Sequence, residues 1–425
     1  MSFWLILVRE KGKRMLYYEL KKIWVKPGTK IVLLILAVTL AVSCYFAIHG
    51  IYYVNENGEE EYGIEAIHKL KAAKKEWAGL LTEEVIANVI AENNRLNDTE
   101  MGRSEDVHDS NIVFGWKQGF YDIRWMLVRS FCKFRESDYY APDSLVPEDA
   151  RFFYGNRLLH LQEWLEDEEQ NNLFTVAEQD FLIQRYQALE AQAPFYYDYA
   201  DGWNQLFEWA ATVIMLTMLT LNFVVAGIFS GEFSYKADAV FYASCHGRGK
   251  AVAAKLGAGL LFVTLVYFAM MLLYSGIVLA VFGTDGAGLL IQTGRMGWKS
   301  FYLITNLQEY LLIIFGGYIG TLFILLLTML VSARTKSSVI AVTIPFILLF
   351  LPSFIGGSSL KMVDKILGIL PDRLLDAGQT LSMFALYQIG GKVIGSLHVL
   401  PVLYGGLALL LIPAIYQVYR RLSAG

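Results

Sequence analysis

The segment IVLLILAVTLAVSCYFAI, residues 31–48, decides the fold class, because it is long, apolar and free of charged side chains. A transmembrane helix requires about 20 consecutive, mainly apolar residues. Comparable runs recur along the chain, and hydrophobic residues make up 55% of its 425 positions. These features predict an all-α membrane protein with six transmembrane helices. The predicted helices are 31–48 (within the segment 30–50), 207–229, 252–282, 311–331, 339–355 and 393–416.

The long interval between the first two predicted helices, residues 51–206, has the composition of a separate soluble domain. It contains 30 Asp and Glu residues against 14 Lys and Arg residues, whereas the rest of the chain contains 10 against 22. Thr82 stands before two glutamates, and Thr175 stands three residues before Glu178. Both patterns are typical of helix N-termini. We therefore predict a large, acidic, mainly helical domain with polar loops, one of them at 102–115.

Basic residues near the helix ends predict the orientation, since Lys and Arg concentrate on the cytosolic side of membranes. Eight Lys and Arg residues precede residue 31. Further basic residues lie in the second-to-third and fourth-to-fifth connections and at the C-terminus. With six helices, all of these fall on one side. The sequence thus predicts a multi-pass protein of the cell membrane with both termini in the cytosol and residues 51–206 outside the cell.

Two segments are expected to lie along the membrane surface. In the cytosolic N-terminal segment 1–29, Leu16 and Leu20 share one helical face and lysines flank it, a pattern typical of interfacial helices. Residues 358–392 are apolar but interrupted, and we interpret them as external interfacial helices. The alternative is that 374–390 crosses the membrane as a seventh helix, which would move the C-terminus outside. The remainder, from 207 to 425, carries helices two to six.

The sequence lacks the residue patterns of common catalytic and metal sites. No phosphate-binding G-x-x-x-x-G-K-[ST] loop occurs, and the related GRGK at 247–250 lacks the earlier glycine. The six histidines and three cysteines are scattered without the spacing of metal ligands. No basic patch indicates a nucleic-acid partner. We therefore expect no enzymatic activity, no cofactor and no metal in this chain, and no binding to nucleic acid.

The connection between the second and third predicted helices reads GEFSYKADAVFYASCHGRGKAVAAKL, residues 231–256. Phe233, Val240 and Phe241 fall on one face of a helix predicted over 231–245, and a basic turn follows it. A loop that merely joins two helices requires no such face. We therefore predict that this helix docks on a cytosolic partner, with the alternative that it lies on the membrane surface. The predicted coupling residues are Glu232, Phe233, Val240, Phe241 and Arg248.

The polar side chains within the predicted helices are mainly uncharged hydroxyl and amide groups. No charged residue lies deep in a predicted helix, which argues against an ion-coupled carrier. Glu208 and Glu309 fall at outer helix ends, where we expect them to reach water. Most uncharged polar side chains in membranes bond their own helix or a neighbouring one, and the alternative is that they line a translocation path. The candidate pathway-lining residues are Thr217, Thr220, Asn222 and Thr343.

The order of these elements resembles that of the permease subunit of type-2 ATP-binding-cassette exporters, over nearly the whole chain. The sequence YELKKIWVKPG at 18–28 resembles the connecting helix of that family. In the second-to-third connection, Glu232, Arg248 and Lys255 match its acidic start, basic turn and lysine. The resemblance implies two permease copies, identical or different, in the bilayer with two separate ATPase subunits that bind ATP and Mg. This chain would form the translocation pathway and contribute no catalysis.

A second hypothesis is a membrane-anchored sensor or immunity protein that binds an extracellular ligand and transports nothing. The size of the domain at 51–206 favours it, whereas the number of helices and the amphipathic connection disfavour it. A third hypothesis is a polytopic lipid-modifying enzyme, which the missing catalytic groups disfavour. Co-purification of an ATPase subunit would distinguish the first hypothesis from the second. The sequence does not specify a transported substrate.

Overall fold

The computed structural model describes residues 10–167, 173–234, 249–294, 297–354, 361–382 and 384–421. Helices form most of this part of the chain, and three two-stranded antiparallel sheets accompany them. The fold is therefore mainly α-helical, as the sequence predicts.

Helices and short strands follow one another along the described chain. The helices are α1 (Glu10–Val25), α2 (Pro27–His49), α3 (Ile64–Lys75), α4 (Glu83–Asn97), α5 (Val107–Lys117), α6 (Tyr121–Phe131), α7 (Gly155–Glu166), α8 (Val176–Glu190), α9 (Asp201–Ser234), α10 (Lys250–Phe282), α11 (Asn306–Thr335), α12 (Ser338–Phe354), α13 (Lys361–Leu367), α14 (Asp372–Leu375), α15 (Ala377–Ser382) and α16 (Ser396–Arg421). The strands are β1 (Tyr52–Val54) with β2 (Glu60–Tyr62), β3 (Gly79–Leu80) with β4 (Tyr196–Tyr197), and β5 (Leu386–Ile389) with β6 (Lys392–Gly395).

Five helices of the described chain, namely α2, α9, α10, α11 and α16, are long and apolar enough to cross a membrane. The chain therefore has the pattern of a multi-pass membrane protein. Helix α9 packs against α2, α10 and α11, and α11 packs against α16. Met218, Phe262 and Ile324 are buried in their common core. Helix α12 is apolar but only 17 residues long, and it packs against α9 and α11. We call these six helices the helix bundle.

The described residues of 51–200 fold into a helical domain that two later segments of the chain complete. The connection between α10 and α11 brings Trp298 into a buried cluster, where its ring lies 4.7 Å from that of Phe153. The segment between α12 and α16 brings Phe384 into a second cluster with Tyr186. The helical domain therefore extends beyond the single interval that the sequence predicts, because large apolar side chains from distant segments are buried in it.

The predicted helix starts within the helical domain are confirmed. Thr82 Oγ1 accepts a hydrogen bond from the backbone N–H of Val85, 3.3 Å away, at the start of α4. Thr175 Oγ1 accepts from the N–H of Glu178, and the Glu178 carboxylate accepts from the N–H of Thr175 at 2.8 Å. These contacts satisfy N–H groups that the first turn of a helix leaves without an intrahelical partner.

Helix α5 contradicts the loop predicted at 102–115. Asp106 caps its start by accepting a hydrogen bond from the N–H of His108 at 2.7 Å. Ile112 and Val113 are buried and hold the helix against the domain. The prediction was wrong because the small polar residues that favour loops also favour helix caps, and sequence composition alone does not separate the two.

The segment after α12 is only partly helical. Helices α13, α14 and α15 are short, and strands β5 and β6 then form a hairpin. Gly390 and Gly391 connect the strands with φ values of 58° and 80°, which glycine adopts without strain. From residue 386 onward, a hairpin thus stands where the sequence predicts interfacial helices over 358–392. The described residues of 374–390 contain no continuous helix of spanning length.

Candidate functional site

The predicted coupling helix at 231–245 lies mostly outside the described residues. Helix α9 continues without interruption to Ser234, so its last turn includes the first residues of the predicted segment. Glu232 and Phe233 belong to this turn, although their side chains fall outside the described part. Val240, Phe241 and Arg248 lie entirely outside the described residues.

Helix α1 packs against α10, the helix that follows this connection. The ammonium group of Lys255 lies 3.6 Å from the Glu19 carboxylate, and the Lys255 side chain is 3% exposed. The ring of Trp24 meets that of Phe262 edge-on, with 5.1 Å between centroids. A buried ammonium group requires a negative partner. The ion pair therefore fixes α1 to the first part of α10, beside the end of the connection.

Three of the candidate pathway residues have separate local environments. Thr217 is fully buried in α9, and its hydroxyl has no hydrogen-bond partner among the described atoms. Thr220 donates to the carbonyl of Leu216 in its own helix at 2.7 Å. Thr343 is exposed on α12 and donates to the carbonyl of Val339 at 3.0 Å. Thr220 and Thr343 thus satisfy their hydroxyl groups locally, whereas Thr217 does not.

The fourth candidate, Asn222, belongs to a row of polar contacts between α9 and α11. The hydroxyl of Thr328 donates to the side-chain oxygen of Asn222. One turn further along, Ser332 Oγ donates to the carbonyl of Ala226 at 2.6 Å and accepts from the N–H of Ser230 at 3.2 Å. Such bonds join helices in apolar surroundings. In this structure Asn222 therefore packs two helices together.

A cavity of about 400 Å³ lies where the helical domain meets the helix bundle, and we call it the junction cavity. Helices α9 and α11 supply two walls. The loop between α10 and α11 and residues 376–381, which include most of α15, close the others. Polar, acidic and apolar side chains share these walls. Those with polar or aromatic groups include Asn204, Phe207, Glu208, Asn306, Glu309 and Asp376.

Glu208 and Glu309 line the junction cavity from neighbouring helices. Neither carboxylate forms an ion pair with any residue of the described chain. The sequence predicts that both reach water at outer helix ends, and in the structure Glu208 is exposed and Glu309 is partly exposed. Both also line one cavity with Asp376. The sequence indicates the position of these two acids only in part, by placing both near outer ends of predicted helices. The sequence does not predict that Asp376 lies beside them, because its position depends on how the segment after α12 folds back.

Buried hydrogen bonds hold the loop that forms one wall of the junction cavity. Arg157 Nη2 donates to the carbonyl of Ser300 at 2.8 Å, and the side-chain amide of Gln292 donates to the same carbonyl at 3.1 Å. Ser300 Oγ donates to the carbonyl of Leu381 at 3.0 Å. Burial lowers the pKa of Arg157 to about 10, so its guanidinium remains charged at neutral pH. The wall is therefore fixed from the interior of the helical domain.

A buried ion-pair network ties α3 of the helical domain to the start of α9. Lys74 Nζ lies 2.8 Å from the Asp122 carboxylate and 2.7 Å from that of Asp201. The hydroxyl of Tyr197 donates to Asp122 at 3.1 Å. Burial lowers the pKa of Lys74, but attraction to the two carboxylates outweighs it, and the net shift is upward. Lys74 thus stays charged while it joins the domain to the bundle.

A second, more exposed ion-pair network links α3 to the connection after α10. Asp285 accepts hydrogen bonds from Lys71 at 2.5 Å and from Lys75 at 2.7 Å. These bonds, that from Lys71 first, lower the pKa of Asp285 to about 2. The two lysines are four residues apart and therefore share one face of α3. Helix α3 consequently contacts both the start of α9 and the connection that follows α10.

The chain matches no known family model, no curated protein and no solved structure. Among the described residues, no group of three or more His, Cys, Asp or Glu side chains could hold a metal ion. The junction cavity offers carboxylates, amides and an aromatic ring. Such groups can bind and orient a ligand. The arrangement is therefore suited to binding.

Proposed function

We propose that this chain is the permease subunit of an ATP-driven exporter of the ATP-binding-cassette type, located in the cell membrane. The observation that carries the proposal is the attachment of α1 to α10. An amphipathic N-terminal helix that is bound through Glu19 and Lys255 beside the second-to-third connection is well placed to receive movement from a cytosolic partner. The apolar helices that could cross a membrane supply the elements of a pathway.

We take α12 to be the sixth membrane helix. The segment after it packs on the helical domain, through the ion pair of Lys365 with Glu178 and the burial of Phe384 beside Tyr186. The chain must therefore change sides of the bundle between Thr335 and Lys361. The 17 residues of α12 extend roughly 25 Å at about 1.5 Å per residue. That length approaches the hydrocarbon thickness of about 30 Å.

The charge pattern supports an orientation for this six-helix bundle. The helical domain joins the same ends of α2, α9, α10, α11 and α16. The opposite ends carry the lysines of α1 together with Lys250, Arg334 and Arg420. Since Lys and Arg favour the cytosolic side, both termini would be cytosolic. The helical domain would then be extracellular.

Helix α9 would carry movement from the cytosolic side to the junction cavity. It contains 34 residues, or roughly 50 Å of helix, and extends from that cavity to the predicted coupling segment 231–245. Binding of ATP and Mg would close two separate ATPase subunits and displace the coupling segment. Helices shift as rigid bodies between alternative packings, so the pathway would open to one side at a time. A second permease copy, identical or different, would complete it.

Purification of the tagged chain from native membranes tests this proposal. We expect an ATPase subunit to accompany the chain and the complex to hydrolyse ATP. The isolated chain should hydrolyse none, because its sequence contains no phosphate-binding loop. A parallel preparation of an established exporter complex controls for dissociation.

Recovery of this chain without any ATPase subunit, when the control complex stays intact, would contradict the proposal. Hydrolysis of ATP by the chain after removal of all partners would contradict it as well. If no ATPase subunit is recovered and the helical domain captures an extracellular ligand, the sensor or immunity-protein hypothesis gains support.

A further inference from the structure

The apolar side of helix α1 packs on the protein itself. Leu16 and Leu20 lie against the core of the helix bundle, and Ile23 is 5% exposed within that core. The ring of Trp24 also touches Phe262 of α10 with its edge. The apolar stripe that the sequence shows in α1 is therefore used for packing, and the opposite side of the helix carries different groups.

The side of α1 that faces away from the bundle is both basic and aromatic. Tyr17 and Tyr18 are 60% and 61% exposed, and Trp24 is 41% exposed. Arg14, Tyr18 and Lys21 recur at the i, i+4 and i+7 positions of one side of the helix. We call the whole set the basic-aromatic face; its exposed side chains are Lys13, Arg14, Tyr17, Tyr18, Lys21 and Trp24.

The positive charges of the basic-aromatic face are not balanced by the described protein. Lys13, Arg14 and Lys21 form no ion pair with any described residue. Glu19, which belongs to the same helix, is bound by Lys255 of α10 at 3.6 Å. Three positive side chains thus point away from the bundle and are accessible to a negatively charged surface.

The connection between α1 and α2 places this face beside lipid. Only Lys26 separates the two helices, and α2 is long and apolar enough to cross a membrane. Ile31, Leu34 and Val38 near the start of α2 are exposed. A continuous apolar surface on such a helix is typical of contact with a membrane. The headgroups of the surrounding lipids therefore lie within reach of α1.

The side chains of the basic-aromatic face select one class of headgroup. Tyr and Trp rings favour the level of the headgroups in a bilayer. Lys and Arg side chains near a membrane surface are attracted to anionic lipids. The headgroup of a zwitterionic lipid carries a positive charge of its own and gains less from these side chains.

We infer that the basic-aromatic face of α1 binds anionic phospholipids in preference to zwitterionic ones. The lipid would hold α1 at the membrane surface from one side, while Glu19 and Lys255 hold it to α10 from the other. The inference goes beyond the proposed function, because it requires only that α2 crosses the membrane and involves neither ATP nor transport.

Quenching of Trp24 fluorescence by brominated lipids tests the inference on the purified full-length chain. The chain is placed in nanodiscs of equal parts phosphatidylglycerol and phosphatidylcholine, with bromine on only one of the two lipids. Because the chain contains 9 tryptophans, the quenching that disappears in Trp24→Phe isolates the lipid beside this residue. Phenylalanine keeps an aromatic ring beside Phe262.

We expect phosphatidylglycerol to be enriched about fivefold over phosphatidylcholine beside Trp24, because each basic side chain near an anionic surface contributes roughly that factor. The triple variant Lys13→Gln/Arg14→Gln/Lys21→Gln should abolish the preference. Salt at about 1 M should reduce it in the wild type, since the screening length falls to about 3 Å.

A matched control removes the same number of positive charges elsewhere. Arg95→Gln/Arg103→Gln/Lys133→Gln changes three exposed side chains of the helical domain and should retain the wild-type preference. Thermal unfolding of each variant checks that it remains folded.

Equal quenching by the two lipids in the wild type would overturn the inference, as would an undiminished preference in the folded triple variant. Absence of any quenching that depends on Trp24 would overturn it as well, because protein would then cover this face. These outcomes are separable from those of the proposed function. Lipid preference without a co-purified ATPase subunit would preserve the lipid site and remove the exporter. A co-purified ATPase subunit that is lost in the triple variant, without lipid preference in the wild type, would assign the face to the ATPase subunit and remove the lipid site.

Discussion

Replacement of Lys74 by methionine should weaken the attachment of the helical domain to the helix bundle. The lysine side chain is 6% exposed and lies within 2.8 Å of both Asp122 and Asp201. Methionine keeps the length of the side chain but removes its charge. The variant would therefore leave two buried carboxylates close together without a cation.

The expected magnitude follows from this burial. Removal of one partner from a buried ion pair costs about 3–5 kcal/mol. For a domain of this size, about 1 kcal/mol changes the unfolding temperature by roughly 2–4 °C. We therefore expect Lys74→Met to lower the unfolding temperature by on the order of 10 °C at a fixed heating rate in detergent. Tryptophan fluorescence is a suitable signal for the measurement.

Two further variants decide whether loss of the ion pair causes the lower unfolding temperature. Lys75→Met removes a lysine of the same helix whose side chain is 43% exposed, and an exposed pair contributes only about 0–1 kcal/mol. The triple variant Lys74→Met/Asp122→Asn/Asp201→Asn removes the buried charges together and should recover most of the loss. The reasoning is refuted if Lys74→Met costs no more than Lys75→Met, or if the triple variant is no more stable than Lys74→Met.

Three further predictions concern the bundle, the helical domain and the topology. Thr328→Val removes the donor to Asn222. This variant should lower the free energy of unfolding by about 0.6 kcal/mol, which is typical of such bonds in membranes, and should leave ATPase association unchanged. Loss of that association would refute the packing role of Asn222. Burial lowers the pKa of Lys299 to about 8, so above that pH the folded state binds fewer protons than the unfolded state. The stability of the wild type relative to Lys299→Met, measured by thermal unfolding, should thus rise between about pH 8 and pH 10, and a constant or falling difference would contradict this. Asp109→Cys should react with an impermeant maleimide on intact cells, whereas a reporter fused after residue 425 should remain cytosolic; the reverse result would invert the topology.

Local features of the fold were predictable because they depend on neighbouring residues. The acids that follow Thr82 and Thr175 predict a helix cap at each, and the structure places both at helix starts. The long apolar runs likewise predict five helices of spanning length, because hydrophobicity along a run is a local property of the sequence. The sequence also marked α12 as apolar, although its 17 residues fall short of the usual length.

Long-range features were not predictable from the single sequence. Trp298 lies about 90 residues beyond the interval assigned to the helical domain, yet it is buried in the core of that domain. Lys74 lies far along the chain from both Asp122 and Asp201, and nothing local links them. The junction cavity likewise requires two helices and a returning segment to meet. Each of these contacts depends on tertiary packing, which local spacing does not encode.

The amount of ATPase subunit that co-purifies with Phe241→Ala tests the central claim most directly. Phe241 belongs to the predicted coupling face, and truncation of a buried aromatic anchor at an interface commonly costs about 2 kcal/mol or more. Phe223→Ala is the matched control, because Phe223 is 63% exposed on α9 within the bundle. We predict that Phe241→Ala inserts into the membrane normally and loses most of its ATPase subunit, whereas Phe223→Ala retains it. Equal recovery of the ATPase subunit with both variants would contradict the assignment of 231–245 as the coupling segment of a permease.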